Sequence, residues 1–176
     1  ARPPPTRARR HRHARSPPTR ARRPPNPRDL DARARSVYFV ESYVNPGTPT
    51  EPEFDDNQET SGSVWRVEDD GSDMVELYTY DHGYPVGLDI YDFTERLYWV
   101  DTQRGTAFSC KYESCTETVE EIAGVSFTSP VDVSVDKRRA QLYFSTDEGY
   151  IYRSDVDGAG FGVWADLSGT EYAPKG

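Results

Sequence analysis

The feature that most restricts how this chain can fold is a period of 45 residues. The stretch YPVGLDIYDFTERLYWVD, Tyr84 to Asp101, aligns without a gap on SPVDVSVDKRRAQLYFST, Ser129 to Thr146, so that Pro85 falls on Pro130, Leu97 on Leu142, Tyr98 on Tyr143 and Trp99 on Phe144. A third copy of the aromatic run, SVYFVE, carries Tyr38 and Phe39 in the same places. A second feature keeps step with the first: SVWRVEDDGSDM, Ser63 to Met74, matches YIYRSDVDGAGF, Tyr150 to Phe161, with Asp70 on Asp157 and Gly71 on Gly158. Self-similarity at this spacing means that one supersecondary unit is being repeated and that no unit buries its own faces.

Each unit reads as four short strands. One follows the Pro, one is the LYWVD run, one is the VWRV or YIYRS run, and the last is VELYTY, TVEEIA or FGVWADL. Alternation such as Val-Trp-Arg-Val is that of a strand, and Asp-Gly suits a tight hairpin because Gly tolerates the positive φ such a turn requires. The segment 45–60, rich in Pro and acids, reads as a solvated lengthening of one hairpin loop. Four-stranded units repeated every 40 to 50 residues predict an all-β chain folded as part of a β-propeller, with units near 25–84, 85–129 and 130–176. Applied backwards, the same ruler puts Pro25 and Asp31 where the first unit should begin. Applied forwards, it puts Pro174 at the start of a fourth, so further units are expected beyond Gly176.

Charge divides the chain. Residues 1–35 hold twelve Arg against two Asp, which leaves nine Lys plus Arg against twenty-eight acids for the remainder. The motif PPTRARR occurs at Pro4 and again at Pro17, and a segment of Arg, Pro and Ala cannot form a core, so 1–24 is expected to be a disordered basic leader. Nuclear import, nucleic-acid contact and basic-specific processing are the sharper readings of its RARR runs. The acidic body repels phosphate backbones, so no nucleic-acid partner is expected. No apolar run is long enough to span a bilayer as a helix, so no membrane insertion is expected in this segment.

LYWVD resembles the YWTD repeat of the six-bladed propellers of the low-density lipoprotein receptor family. That unit runs from Pro through an aliphatic strand ending in Asp, then Tyr-Trp-Thr-Asp, then a strand closing on an Asp-Gly turn. Here the matching positions are Tyr38 and Phe39; Leu97, Tyr98, Trp99 and Asp101; Leu142, Tyr143 and Phe144; and Asp136, at whose place the preceding unit has Tyr91. Val100 replaces the motif Thr. The resemblance implies a rigid propeller surface for binding proteins or other ligands, at the cell surface or outside the cell, with no catalytic residue.

The same run is similar to that of the gluconolactonase and regucalcin group, metal-dependent lactone hydrolases on six-bladed propellers. That group needs a metal-binding Glu just before the Pro, but Gly83 and Tyr84 stand before Pro85, and Val131 and Lys175 follow the other two Pro where Asn is expected. A lactone hydrolase is therefore the alternative function.

Among single residues, Cys110 and Cys115 flank the turn that replaces Asp-Gly in the middle unit. Their spacing leaves two readings open, a bridge across the turn in an oxidising compartment or two free thiols, and the even number favours the bridge. The acidic turns at Asp70, Gly71, Asp157 and Gly158 lack the regular oxygen spacing of a calcium loop and read as hairpins. Calcium is the one cofactor they leave open. His82 has no nucleophile context. The open flanks of half a propeller, rich in Tyr, Val and Trp, invite missing blades or self-association.

Overall fold

Side chains along a strand alternate between two faces, so an aromatic-aliphatic run without polar interruption folds as a strand only where both faces are covered. RLYWVD meets that condition. In the computed structural model, which describes residues 36–44, 60–80 and 82–170, three antiparallel sheets follow one another along the chain. The first contains β1 (Ser36–Val44), β2 (Thr60–Glu68) and β3 (Val75–Tyr80), in that order. The second contains β4 (Pro85–Tyr91), β5 (Arg96–Asp101), β6 (Thr106–Lys111) and, after the short helix α1 (Cys115–Thr118), β7 (Glu120–Glu121). The third contains β8 (Pro130–Asp136), β9 (Gln141–Thr146), β10 (Tyr150–Asp155) and β11 (Gly162–Asp166).

Each sheet is an up-and-down meander, as the repeat predicts, and the succession is that of blades in a partial β-propeller. The fourth strand expected for the first unit, near Pro25 to Asp31, lies outside the described residues, as do the leader and the 45–59 loop. One expected strand is shorter than its sequence suggests. TVEEIA yields only the two residues of β7, because α1 and the bridge at Cys115 take up the preceding turn.

The core lies between sheets rather than within them. Leu97, Trp99, Phe108 and Cys110 pack with Val64, Tyr38 and Val40 between the first and second sheets. Tyr98, Val100, Ala107 and Ile122 pack with Val133, Leu142 and Phe144 between the second and third. β5 therefore sends alternate residues into two different cores, which is why Leu97 to Asp101 are all buried. Polar contacts repeat with the period. Ser42 Oγ donates to the carbonyl of Pro85, and Thr102 Oγ1, its equivalent one unit on, donates to that of Pro130 at 2.8 Å.

Candidate interaction surfaces

The strand-connecting turns at one end of the sheets are built alike. β2–β3 and β10–β11 close with the same pattern: Gly71 N–H donates to the Glu68 carbonyl and Gly158 N–H to that of Asp155, both at 2.9 Å. Gly71 (φ 82°) and Gly158 (φ 90°) supply the left-handed residue that this geometry requires. Asp70 Oδ1 accepts from Ser72 N–H at 2.9 Å and Asp157 Oδ1 from Ala159 N–H at 3.0 Å, so these carboxylates brace their own turns. Hydrogen bonds from Ser72, side chain and then backbone, hold the Asp70 carboxyl below its ordinary value.

At the same end, Asp136 accepts from the N–H groups of Arg138 and Arg139 and from Arg139 Nη1 at 2.8 Å, and the Arg139 hydrogen bond lowers its pKa. The adjacent turn, at 92–95, is tied to this one by Lys137 Nζ donating to Asp92 Oδ2 at 3.2 Å. It also carries Phe93, 87% exposed. Lys137, Arg138 and Arg139 are all exposed, and the Arg138 side chain forms no ion pair among the described residues. An exposed aromatic ring thus stands on the turn next to Lys137, Arg138 and Arg139, of which Lys137 pairs with Asp92 and Arg139 with Asp136. Sequence reasoning passed over this pair of turns, although Phe93 falls at a turn position where the strand alternation gives it no partner.

The motif residues sit on one register. Tyr38, Tyr98 and Tyr143 each occupy the third position of β1, β5 and β9, with Phe39, Trp99 and Phe144 following them on the opposite face. Asp101 ends β5, fully buried, and accepts from Tyr84 N–H at 3.1 Å and Arg104 N–H at 3.0 Å. It pins the crossing from the first sheet into the second. Thr146, at the same place in β9, uses its hydroxyl to accept from Tyr150 N–H at 3.2 Å.

Cys110 and Cys115 are joined, both buried, with Cα atoms 4.9 Å apart. The bridge runs from the end region of β6 to the first residue of α1 rather than across two strands. Next to it, Thr116 Oγ1 donates to the Leu77 carbonyl of β3 at 2.8 Å, so the bridged turn also holds the first sheet. Replacing both Cys by Ser is expected to lower stability by about 2 kcal/mol, the loop-closure term for so short a span, with more lost through burying two hydroxyls. Chemical denaturation of the wild type with and without reductant checks this, and the reduced wild type should fall to near the double variant.

No group of three His, Cys, Asp or Glu side chains stands together as a ligand set for a metal ion among the described residues. His82 is exposed outside the strands. Trp99 is packed in a core, Trp65 stacks on Phe39 with ring centroids 6.4 Å apart, and Trp164 is 55% exposed on β11. No described helix is long and apolar enough to cross a membrane.

Neither a protein-family model nor a curated protein sequence matches the chain. Solved structures do. A chain of a nidogen–laminin complex superimposes with a TM-score of 0.54 at 20% identity, over 59% of this chain and 40% of that one. A gluconolactonase from Xanthomonas campestris superimposes with a TM-score of 0.51 at 23% identity, over 72% of this chain and 42% of that one. The fold is that of a β-propeller. This chain spans about two fifths of each of those chains.

Proposed function

We propose that the chain is an extracellular binding module of YWTD type, and that the end bearing the 92–95 and 137–140 turns receives a protein partner. The observation that carries this reading is Phe93, exposed on one turn and joined through the Asp92–Lys137 pair to a row of three cations on the next. An exposed aromatic ring on the turn next to one that bears exposed Arg has the composition of an interface anchor. Its complement is an acidic segment with an apolar residue at its centre. The similarity to a chain from a protein–protein complex supports the general reading, and the buried bridge supports an oxidising compartment. A lactone hydrolase is the second reading, which the similarity to a gluconolactonase favours; it would need several oxygen ligands converging on a cation, and among the described residues no three His, Cys, Asp or Glu side chains stand together.

Selection from a displayed peptide library against the whole chain tests this. Enriched peptides should be acidic around an apolar residue. Phe93→Ser and Arg138→Glu should each weaken their binding by about tenfold, the loss of one anchor, and added salt should weaken it further. Enrichment of peptides indifferent to both substitutions would refute the assignment. Turnover of gluconolactone in the presence of divalent cations would favour the enzyme instead.

A further inference from the structure

The chain contains two Asp-Gly pairs, Asp70-Gly71 and Asp157-Gly158, and the repeat sets them at the same place in two hairpins. Their local bonding is the same. In both turns the Gly N–H is held by the carbonyl three residues back, and the Asp Oδ1 by the N–H two residues on. The strand ends are closed alike too, by Glu68 N–H donating to the Ser72 carbonyl at 3.0 Å and Asp155 N–H to that of Ala159 at 2.8 Å.

What differs is the anchoring. Val156 and Phe161, on either side of the second pair, pack against the core between the second and third sheets, with Phe161 stacked on Tyr152 at 5.2 Å between ring centroids. Val156 N–H donates to the Ala140 carbonyl at 3.2 Å. Gly158 is buried, and a Cβ there would stand 2.2 Å from the Ala123 carbonyl oxygen. The residues equivalent to Val156 and Phe161 in the first sheet are Asp69 and Met74, both exposed, and nothing lies within 4 Å of a Cβ built on Gly71. One turn is clamped on both sides, and its twin stands clear of the molecule.

We propose that Asp70 is a site of spontaneous isoaspartate formation in the folded chain, and that packing protects Asp157 from the same reaction.

In this reaction Gly71 N attacks the Asp70 carboxyl carbon. The N–Cγ bond of a cyclic imide forms, and the carboxyl hydroxyl leaves with the amide proton as water. Water then adds back to the imide. Addition at Cγ restores Asp. Addition at the main-chain carbonyl carbon breaks its bond to Gly71 N, so that the chain runs through the former side chain and the free carboxylate sits on the α-carbon. To close the imide, Gly71 must rotate until its nitrogen faces Cγ, giving up its bond to Glu68, while Asp70 Oδ1 leaves Ser72. Gly supplies the backbone freedom for this at both places. Only the turn at 69–74 can open by itself, because no core side chain has to leave with it. At 156–161 the same motion would draw Val156 and Phe161 out of their core and move Gly158 against the Ala123 carbonyl.

Ageing the whole chain at mildly acidic pH and body temperature, once folded and once in urea, tests the proposal. Trypsin places the two pairs on separate peptides, 67–96 and 154–175. Isoaspartate in each is read with a protein isoaspartyl methyltransferase and a radiolabelled methyl donor, and its position by fragmentation in the mass spectrometer. In urea the two peptides should gain label at similar rates. In the folded chain peptide 67–96 should lead by about tenfold or more, because the protected turn reacts only when it opens against its core contacts. Asp70→Glu, a change on an exposed turn, should abolish the label in 67–96, since the longer side chain closes the corresponding imide far more slowly. Equal labelling of the two peptides in the folded chain would overturn the proposal. So would a folded chain that gains none in 67–96 while the chain in urea gains it in both, or label in 67–96 that survives Asp70→Glu.

Discussion

Trp99→Ala is expected to remove about 3–5 kcal/mol of unfolding free energy, most of what a domain of this size has in hand. Trp99 is completely buried on β5, with its ring 5.9 Å from Phe108 and 6.4 Å from Tyr78 of the first sheet. Val64 and the Cys110–Cys115 bridge complete the same cluster. Truncation leaves a large cavity at the junction between two sheets, and those sheets are joined mainly by side chains. The first sheet should therefore loosen before the rest, since stability in a linear array is the sum of unit and junction terms. Urea unfolding followed by circular dichroism measures the loss, and hydrogen exchange should show β1 and β2 losing protection first. Trp164→Ala, on the exposed face of β11, is the control and should cost well under 1 kcal/mol in the isolated chain. A loss below 1 kcal/mol at Trp99 would mean that the junction is not where the core lies.

Gly87→Ala is expected to cost about 2–4 kcal/mol, from the left-handed backbone and from overpacking together. Gly87 has φ 51° and sits at the irregularity in the β4–β5 pairing between Val86 and Leu88. A Cβ there would stand 2.5 Å from the Cα of Asp132 on β8 and 3.1 Å from the Val131 carbonyl oxygen. Neither is a side-chain tip that could swing aside. The inner strands of two successive sheets thus touch backbone to backbone at this point. Gly124→Ala separates the two contributions, because Gly124 has φ 75° with nothing within 4 Å of the added carbon. It should show only the conformational part, about 1 kcal/mol. Equal losses in the two variants would remove the close approach from the account.

Much of the fold was legible because its signals are local. The 45-residue period, the alternation of VWRV and YIYRS, and the Asp-Gly turns are all read within one unit, and the strands appear where those signals stand. TVEEIA was overread because a short helix, bridged at Cys115, occupies the turn before it. That bridged turn occurs in the second sheet and not at the equivalent place in the other two, so it leaves no periodic trace. Phe93 was overlooked for the opposite reason. In sequence it is one more aromatic residue near a strand, and only the position of the neighbouring turn shows its ring to be outside every core.

Residue order by itself determined that these runs are strands, how many lie in each unit, and which residues share a face, because a strand repeats every two residues whatever surrounds it. Tertiary structure alone decided which faces are covered. Tyr98 and Tyr143 stand in the same motif at the same register, yet Tyr98 is buried and Tyr143 is only half-buried. Burial is a property of what lies beyond the strand, and a motif 18 residues long carries no record of whether a further sheet stands next to it.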